Sequence, residues 1–191
     1  TMEKKYFFFD IDGRLTDRST GKIVPSAREA LDRLEANGHF VAIATGRAHY
    51  KARKFTGANG FKNMVCCGGN GCVINNELVE NIPLDKEGCL QIIHQSEELG
   101  YGWCVALDDT KDVYMTDDKF LRQVGKRKEP TRYIIDDMLD IDSVDAIYKI
   151  YVAIPKEEEE KLTKKELIGH LRFEPEYLTV SYTHLRAHET D

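Results

Sequence analysis

The sequence predicts an α/β fold: a partial Rossmann-like core, with a parallel sheet wound from a βαβ unit, followed by an α+β region. Three observations predict it. The run Tyr6-Phe7-Phe8-Phe9 is apolar throughout and stops at Asp10-Ile11-Asp12-Gly13. Such a run cannot be amphipathic, so both its faces need cover, as on a buried central strand of a parallel sheet. A helix pattern and a second apolar strand follow before Thr45, which makes a βαβ unit with a right-handed crossover. Beyond Asp85, helix patterns interleave with strand patterns.

The chain has 191 residues, room for one large domain or two small ones. Hydrophobic residues make up 41% and charged residues 31%, an ordinary globular balance. The net charge of −6 and the lack of a basic stripe argue against a nucleic-acid partner. No apolar run is long enough to span a membrane, and the N-terminus lacks a signal peptide's apolar core. Cys66, Cys67, Cys72, Cys89 and Cys104 are odd in number and contain no Cys-x-x-Cys pair. They read as reduced, mostly core-filling thiols of a cytoplasmic protein.

In order, residues 13–24 form a polar loop. Ser26-x-x-Glu29 after Pro25 predicts a capping box, and Ala27, Ala30, Leu31 and Leu34 share one helical face. Asn37-Gly38 stops that helix. His39 to Ala44 is the second buried strand, and Thr45-Gly46-Arg47 leads into a short basic helix with Ala48, Ala52 and Phe55 on one face. Met64 to Cys67 is a third strand. Cys72 to Ile74, a turn at Asn75-Asn76, and Leu78 to Ile82 make a hairpin. Asp85 caps a helix with Cys89, Ile92, Ile93 and Ser96 on one face, stopped by Gly100. Tyr101–Leu107 and Val113–Met115 read as strands around a solvated acidic turn. That turn lacks the residue order of a calcium loop. Asp117 starts a helix with Phe120, Leu121 and Val124 inward. Asp136-Asp137 reads as a surface loop. Residues 146–154 alternate as a strand, Pro155 opens a helix, and Phe173–Tyr182 is the last strand.

The chemistry concentrates at the first two strand ends. Asp10 and Asp12 share one heading on an extended backbone, about 7 Å apart, and two such carboxylates call for a hard cation with oxygen ligands. Gly13 permits a sharp turn that brings backbone N–H groups near an anion. In a parallel sheet Thr45 arrives at the same edge. A hydroxyl beside backbone N–H groups at a helix start suits phosphate, and the same Thr can equally be a helix N-cap. Arg47 can meet substrate or solvent. Asn70 reads first as a turn residue and second as a substrate contact.

Asp10-Ile11-Asp12-Gly13 resembles motif one of the haloacid dehalogenase superfamily, and Thr45 resembles its motif two. Arg14 departs from the family's Thr at a turn-ordering position. The resemblance implies that Asp10 is the nucleophile and Asp12 the general acid and base. Mg²⁺ would be held by the Asp10 carboxylate and the Asp12 carbonyl, and phosphate by Thr45, Gly46 and Gly13. Strand, Asn70-Gly71, hairpin and Pro83-Leu84-Asp85 are similar to the Cof-type (subclass IIB) branch. That branch inserts an α+β cap domain after the third strand, and the cap would sort substrates and exclude water. The implied organisation is a partial core over 1–82, a cap over 83–179, and a tail over 180–191.

The implied activity is Mg-dependent hydrolysis of a small phosphomonoester, such as a sugar phosphate, through an aspartyl-phosphate. A phosphomutase of the same branch and a non-catalytic phosphate-binding module are the alternatives. A phosphoacceptor regulatory domain is disfavoured, because its acidic pair and its phosphorylated Asp lie on different strands. Residues from Val180 to Thr190 resemble a translated sequencing adapter, so a zinc site at His184 and His188 is not expected. The family's third motif, a Lys, and its fourth, one or two Asp, normally follow the cap. Without them the expectation is weak Mg²⁺ binding, an open edge along the first strand and negligible activity of this chain.

Overall fold

The structure, a computed structural model, describes residues 3–11, 15–17, 19–126, 131–158, 170–173 and 177–181. The chain divides into two compact units, Thr1–Ile82 and Pro83–Asp191. The first holds β1 (Tyr6–Asp10), α1 (Pro25–Ala36), β2 (Phe40–Ala44), α2 (His49–Ala58), β3 (Met64–Cys66), β4 (Gly71–Ile74) and β5 (Glu77–Asn81). They form one sheet in the order β1-β2-β3-β4-β5. β1, β2 and β3 run parallel; β4 and β5 are antiparallel additions. Asn75 and Asn76 both take positive φ, 49° and 67°, as a tight hairpin turn between twisted strands requires.

The core of this unit is built by Leu31 from α1, Val41 and Ile43 from β2, Ala52 from α2, and Phe61, Met64 and Val73. Fully burying such a side chain contributes roughly 1.5–3 kcal/mol. Helix α1 begins differently from the capping-box expectation. Val24 is its N-cap, with no side-chain cap bond, and Pro25 enters the first turn with its φ already helical. Ser26 therefore lies inside the helix and caps nothing.

β1 is an edge strand, not a central one. Tyr6 and Phe8 are exposed, while Phe7 and Phe9 are half-buried on the other side. The Phe40 ring lies tilted against Tyr6 and Phe8, with ring centroids at 5.4 and 6.3 Å. Among the described residues the aromatic run is half-buried on one face and exposed on the other, as expected of an open edge.

The second unit holds α3 (Lys86–Glu98), β6 (Trp103–Ala106), β7 (Asp112–Met115), α4 (Lys119–Val124), β8 (Arg132–Ile135), β9 (Lys149–Pro155), β10 (His170–Phe173) and β11 (Tyr177–Ser181). Its sheet runs β10-β11-β9-β6-β7-β8. Asp85 caps α3 by accepting from the Gly88 amide at 2.9 Å, as its position predicts. β9 is covered on both faces. Ile150, Val152 and Ile154 join Ile93 of α3 in one cluster; Tyr151 and Ala153 join Phe120 of α4 in another.

Two expectations for this unit are corrected, and one strand is added. Pro155 ends β9 instead of opening a helix; a short 3₁₀ turn, Lys156–Glu158, follows. The last strand is two strands, β10 and β11, paired antiparallel; Tyr182 lies outside the described residues. β8 was not expected at all. It pairs parallel to β7 with Arg132 opposite Asp112, and the guanidinium reaches both carboxylate oxygens at 2.7 Å. Val180 and Ser181 pair with Val152 and Tyr151, while the rest of the 180–191 tail, His184 and His188 included, lies outside the described residues.

Candidate active site

The parallel register of the first two strands sets the geometry. Asp10 stands opposite Ala44, the residue before Thr45, so Asp10 and Thr45 share the C-terminal edge of the sheet. Asp10 is exposed there. Ile11 and Leu15, which flank residues 12–14, are both buried in the core. The Thr16 hydroxyl donates to the Ile11 carbonyl at 3.0 Å. Asp12, Gly13 and Arg14 lie outside the described residues.

Thr45 is buried, 7% exposed. Its Oγ1 accepts from the Arg47 amide at 3.1 Å, so it orders its own loop. It is not the cap of α2; that position belongs to Ala48, which makes no side-chain cap bond. Gly46 and Arg47 are exposed, and a side chain at Gly46 would meet nothing within 4 Å. Asn70 is half-buried after the 3₁₀ turn Cys67–Gly69; its amide donates to the Cys67 carbonyl at 3.4 Å, and its carbonyl accepts from Ile82 at 2.7 Å.

Sequence reasoning missed the clip that holds the Thr45 loop. The Thr45 amide donates to Val65 at 2.9 Å, the Cys67 amide to Arg47 at 2.8 Å and the Gly68 amide to Thr45 at 3.4 Å. The signal was Gly68-Gly69, which take φ of 66° and 111° and let the chain fold back. A separate cavity of about 270 Å³ is lined by His49, Arg53, Phe61, Lys62, Asn63 and Asn76, among others, and by none of the expected site residues.

The exposed Asp10 carboxylate offers hard oxygen donors of the kind Mg²⁺ prefers. Among the described residues no group of three or more His, Cys, Asp or Glu converges on one point. No helix of the described residues is long and apolar enough to cross a membrane.

In open α/β sheets ligands bind outside the carboxyl ends of the strands, the edge that carries Asp10 and Thr45 here. The chain belongs to the haloacid dehalogenase-like hydrolase family, whose model matches residues 7–184. It is 27% identical over 116 residues to Putative phosphatase YkrA of Bacillus subtilis (strain 168), a match covering 61% of this chain and 45% of that protein. The chain thus spans less than half of that relative's length. Among solved structures it resembles a hypothetical protein from Geobacillus kaustophilus HTA426, with TM-score 0.67, 23% identity, and coverage of 93% of this chain and 69% of that one. It also resembles the subclass IIB sugar phosphatase BT4131, with TM-score 0.60, 19% identity, and coverage of 94% and 70%. These two likenesses show the α/β fold.

Proposed function

We propose that the protein to which this chain corresponds hydrolyses small phosphomonoesters, with Asp10 as nucleophile. The observation that carries this is the register that sets Asp10 and Thr45 on one sheet edge within the family-matched segment. An Asp10 carboxylate oxygen attacks phosphorus, the ester oxygen leaves with a proton from Asp12, and an aspartyl-phosphate forms. Water, giving its proton to Asp12, then attacks that phosphorus, the bond to Asp10 breaks, and inorganic phosphate leaves. Thr45, Gly46 and Gly13 bind the phosphate oxygens, and the unit from Pro83 serves as the cap that sorts substrates. Mg²⁺, when bound by Asp10 and the Asp12 carbonyl, would offset the negative charge of phosphate and nucleophile. The sugar-phosphatase neighbour favours a sugar phosphate as the substrate class.

The test is Asp10→Asn in a version extended to the length of the relatives. Turnover of a phosphomonoester is expected to fall about 10⁴-fold or more. Near-normal turnover would overturn the mechanism. The 191-residue chain alone is expected to give negligible turnover. Titrating the extended protein with Mg²⁺ and trifluoroberyllate separates an enzyme from an inert phosphate binder, because the analogue needs the nucleophilic carboxylate.

A further inference from the structure

β3, β4 and the 3₁₀ turn between them carry three of the five cysteines, and two of these touch. Cys66 ends β3 and is fully buried; Cys67 follows it, half-buried, with φ of 54°. Their Sγ atoms stand 3.9 Å apart. Gly71 lies opposite Cys66 in the antiparallel register. A Cβ there would sit 2.5 Å from the Cys66 sulfur and 3.3 Å from the Cys67 sulfur. The bare backbone at Gly71 is what leaves room for the pair. Cys72 is opposite Val65, one step along the ladder, and so heads for the other face of the sheet.

We propose that Cys66 and Cys67 form a bidentate thiol site for monosubstituted trivalent arsenicals. Spacing and ligand number support this independently. A disulfide needs its sulfurs about 2.05 Å apart, far closer than this pair stands. At 3.9 Å the two thiols are in van der Waals contact, near enough for small side-chain rotations to bring both onto one bridging soft atom. Thiolates select soft centres. A zinc-type ion takes four ligands, yet among the described residues no third His, Cys, Asp or Glu joins such a group. An arsenical R–As=O needs two sulfurs and nothing more. Two As–S bonds form, the arsenic–oxygen bond breaks, and the two thiol protons leave with that oxygen as one water. Arsenic stays trivalent, so no oxidant is needed. The half-buried Cys67 reacts first and Cys66 closes the ring. The bridged pair then lies one hydrogen bond from the Thr45 loop, through the Cys67 amide and the Arg47 carbonyl.

The experiment is intact-mass spectrometry of the folded 191-residue chain treated with phenylarsine oxide in excess glutathione, which strips single-sulfur adducts. One adduct is expected, its mass that of one reagent less one water, released by dithiothreitol. Cys67→Ser and Cys66→Ser should each lose it and Cys72→Ser should keep it. Cys67 is half-exposed, so its variant tests the site without disturbing the buried Cys66. The absence of a glutathione-resistant adduct in the unaltered chain, its survival in Cys67→Ser, or its loss in Cys72→Ser would overturn the assignment.

Discussion

Two small residues show how tightly single positions are determined. Gly102 precedes β6, and a Cβ built on it would lie 2.3 Å from the Phe120 amide nitrogen and 2.4 Å from its Cα. Those atoms belong to the backbone of α4, which cannot swing aside as a side-chain tip can. The same glycine donates its amide to Gln123 Oε1 at 2.6 Å, and its carbonyl accepts from Ala153 at 2.8 Å, so it cannot retreat either. Gly102→Ala is expected to destabilise the second unit by about 1–3 kcal/mol, the usual cost of overpacking a well-filled site. A urea titration followed by circular dichroism checks this; an unmoved midpoint would show that α4 shifts at no cost. Thr45 makes a contrasting case. Its hydroxyl oxygen accepts from its own loop, yet oxygen has a second lone pair and a donor proton for an anion. One side chain thereby serves local order and, on the proposed function, phosphate binding.

At the scale of elements, α3 is tied to the 3₁₀ turn Ile141–Ser143 through His94. Nε2 stands 2.8 Å from Asp142 Oδ1, and Nδ1 stands 3.4 Å from Glu97 Oε2. The hydrogen bond to Asp142 raises the His94 pKa above the ordinary histidine value; slight burial opposes it, and Glu97 adds to the rise. A raised folded-state value means the stabilisation is complete below the unfolded pKa of about 6.5 and is lost as pH climbs through the folded value. Both partners are substantially exposed, so the effect should stay below about 1 kcal/mol. The stability difference between the unaltered chain and His94→Gln is therefore expected to shrink from pH 6 to pH 8. Denaturation midpoints at the two pH values measure it, and a difference that grows would refute the assignment. Elements of this kind were legible unevenly. Asp85 announced α3 because an Asp before an apolar-periodic run has one common use, and Gly100 announced its end. Ser26 misled because Pro25 already supplies a good first turn, leaving the cap to Val24. Pro155 misled because a proline without an amide hydrogen suits a strand end as well as a helix start. β8 was hidden because its pairing rests on the distant Asp112–Arg132 contact, across 20 residues. The edge shared by Asp10 and Thr45 was legible because parallel pairing follows from two apolar runs joined by a helix. The Cys67 and Gly68 clip was not, because backbone hydrogen bonds between loops leave little trace in side-chain type.

For the whole molecule, the decisive feature is an aromatic strand on a sheet edge. The sequence shows that Tyr6 to Phe9 wants two covered faces, but a run of apolar residues cannot say which strand will supply the cover. In the structure β1 pairs with β2 alone among the described strands. Tyr6 is 63% and Phe8 53% exposed. An edge with unpaired backbone groups and large apolar side chains is a template for pairing with another chain. Lys4, 5.6 Å from the Tyr6 ring, is a partial guard because charge near an edge opposes such pairing. Self-association of this chain is accordingly expected to rise with concentration and to pass through β1. Phe8→Lys places a charge at the centre of the exposed face while leaving Phe7 and Phe9, which face the unit's own core, unchanged. It should lower the weight-average mass at a given concentration in sedimentation equilibrium without changing the circular dichroism spectrum. If the variant associates as strongly as the unaltered chain, β1 is not the route, and another exposed strand, with β5 and its Val79 at 55% exposure the next in line, has to be tested in its place.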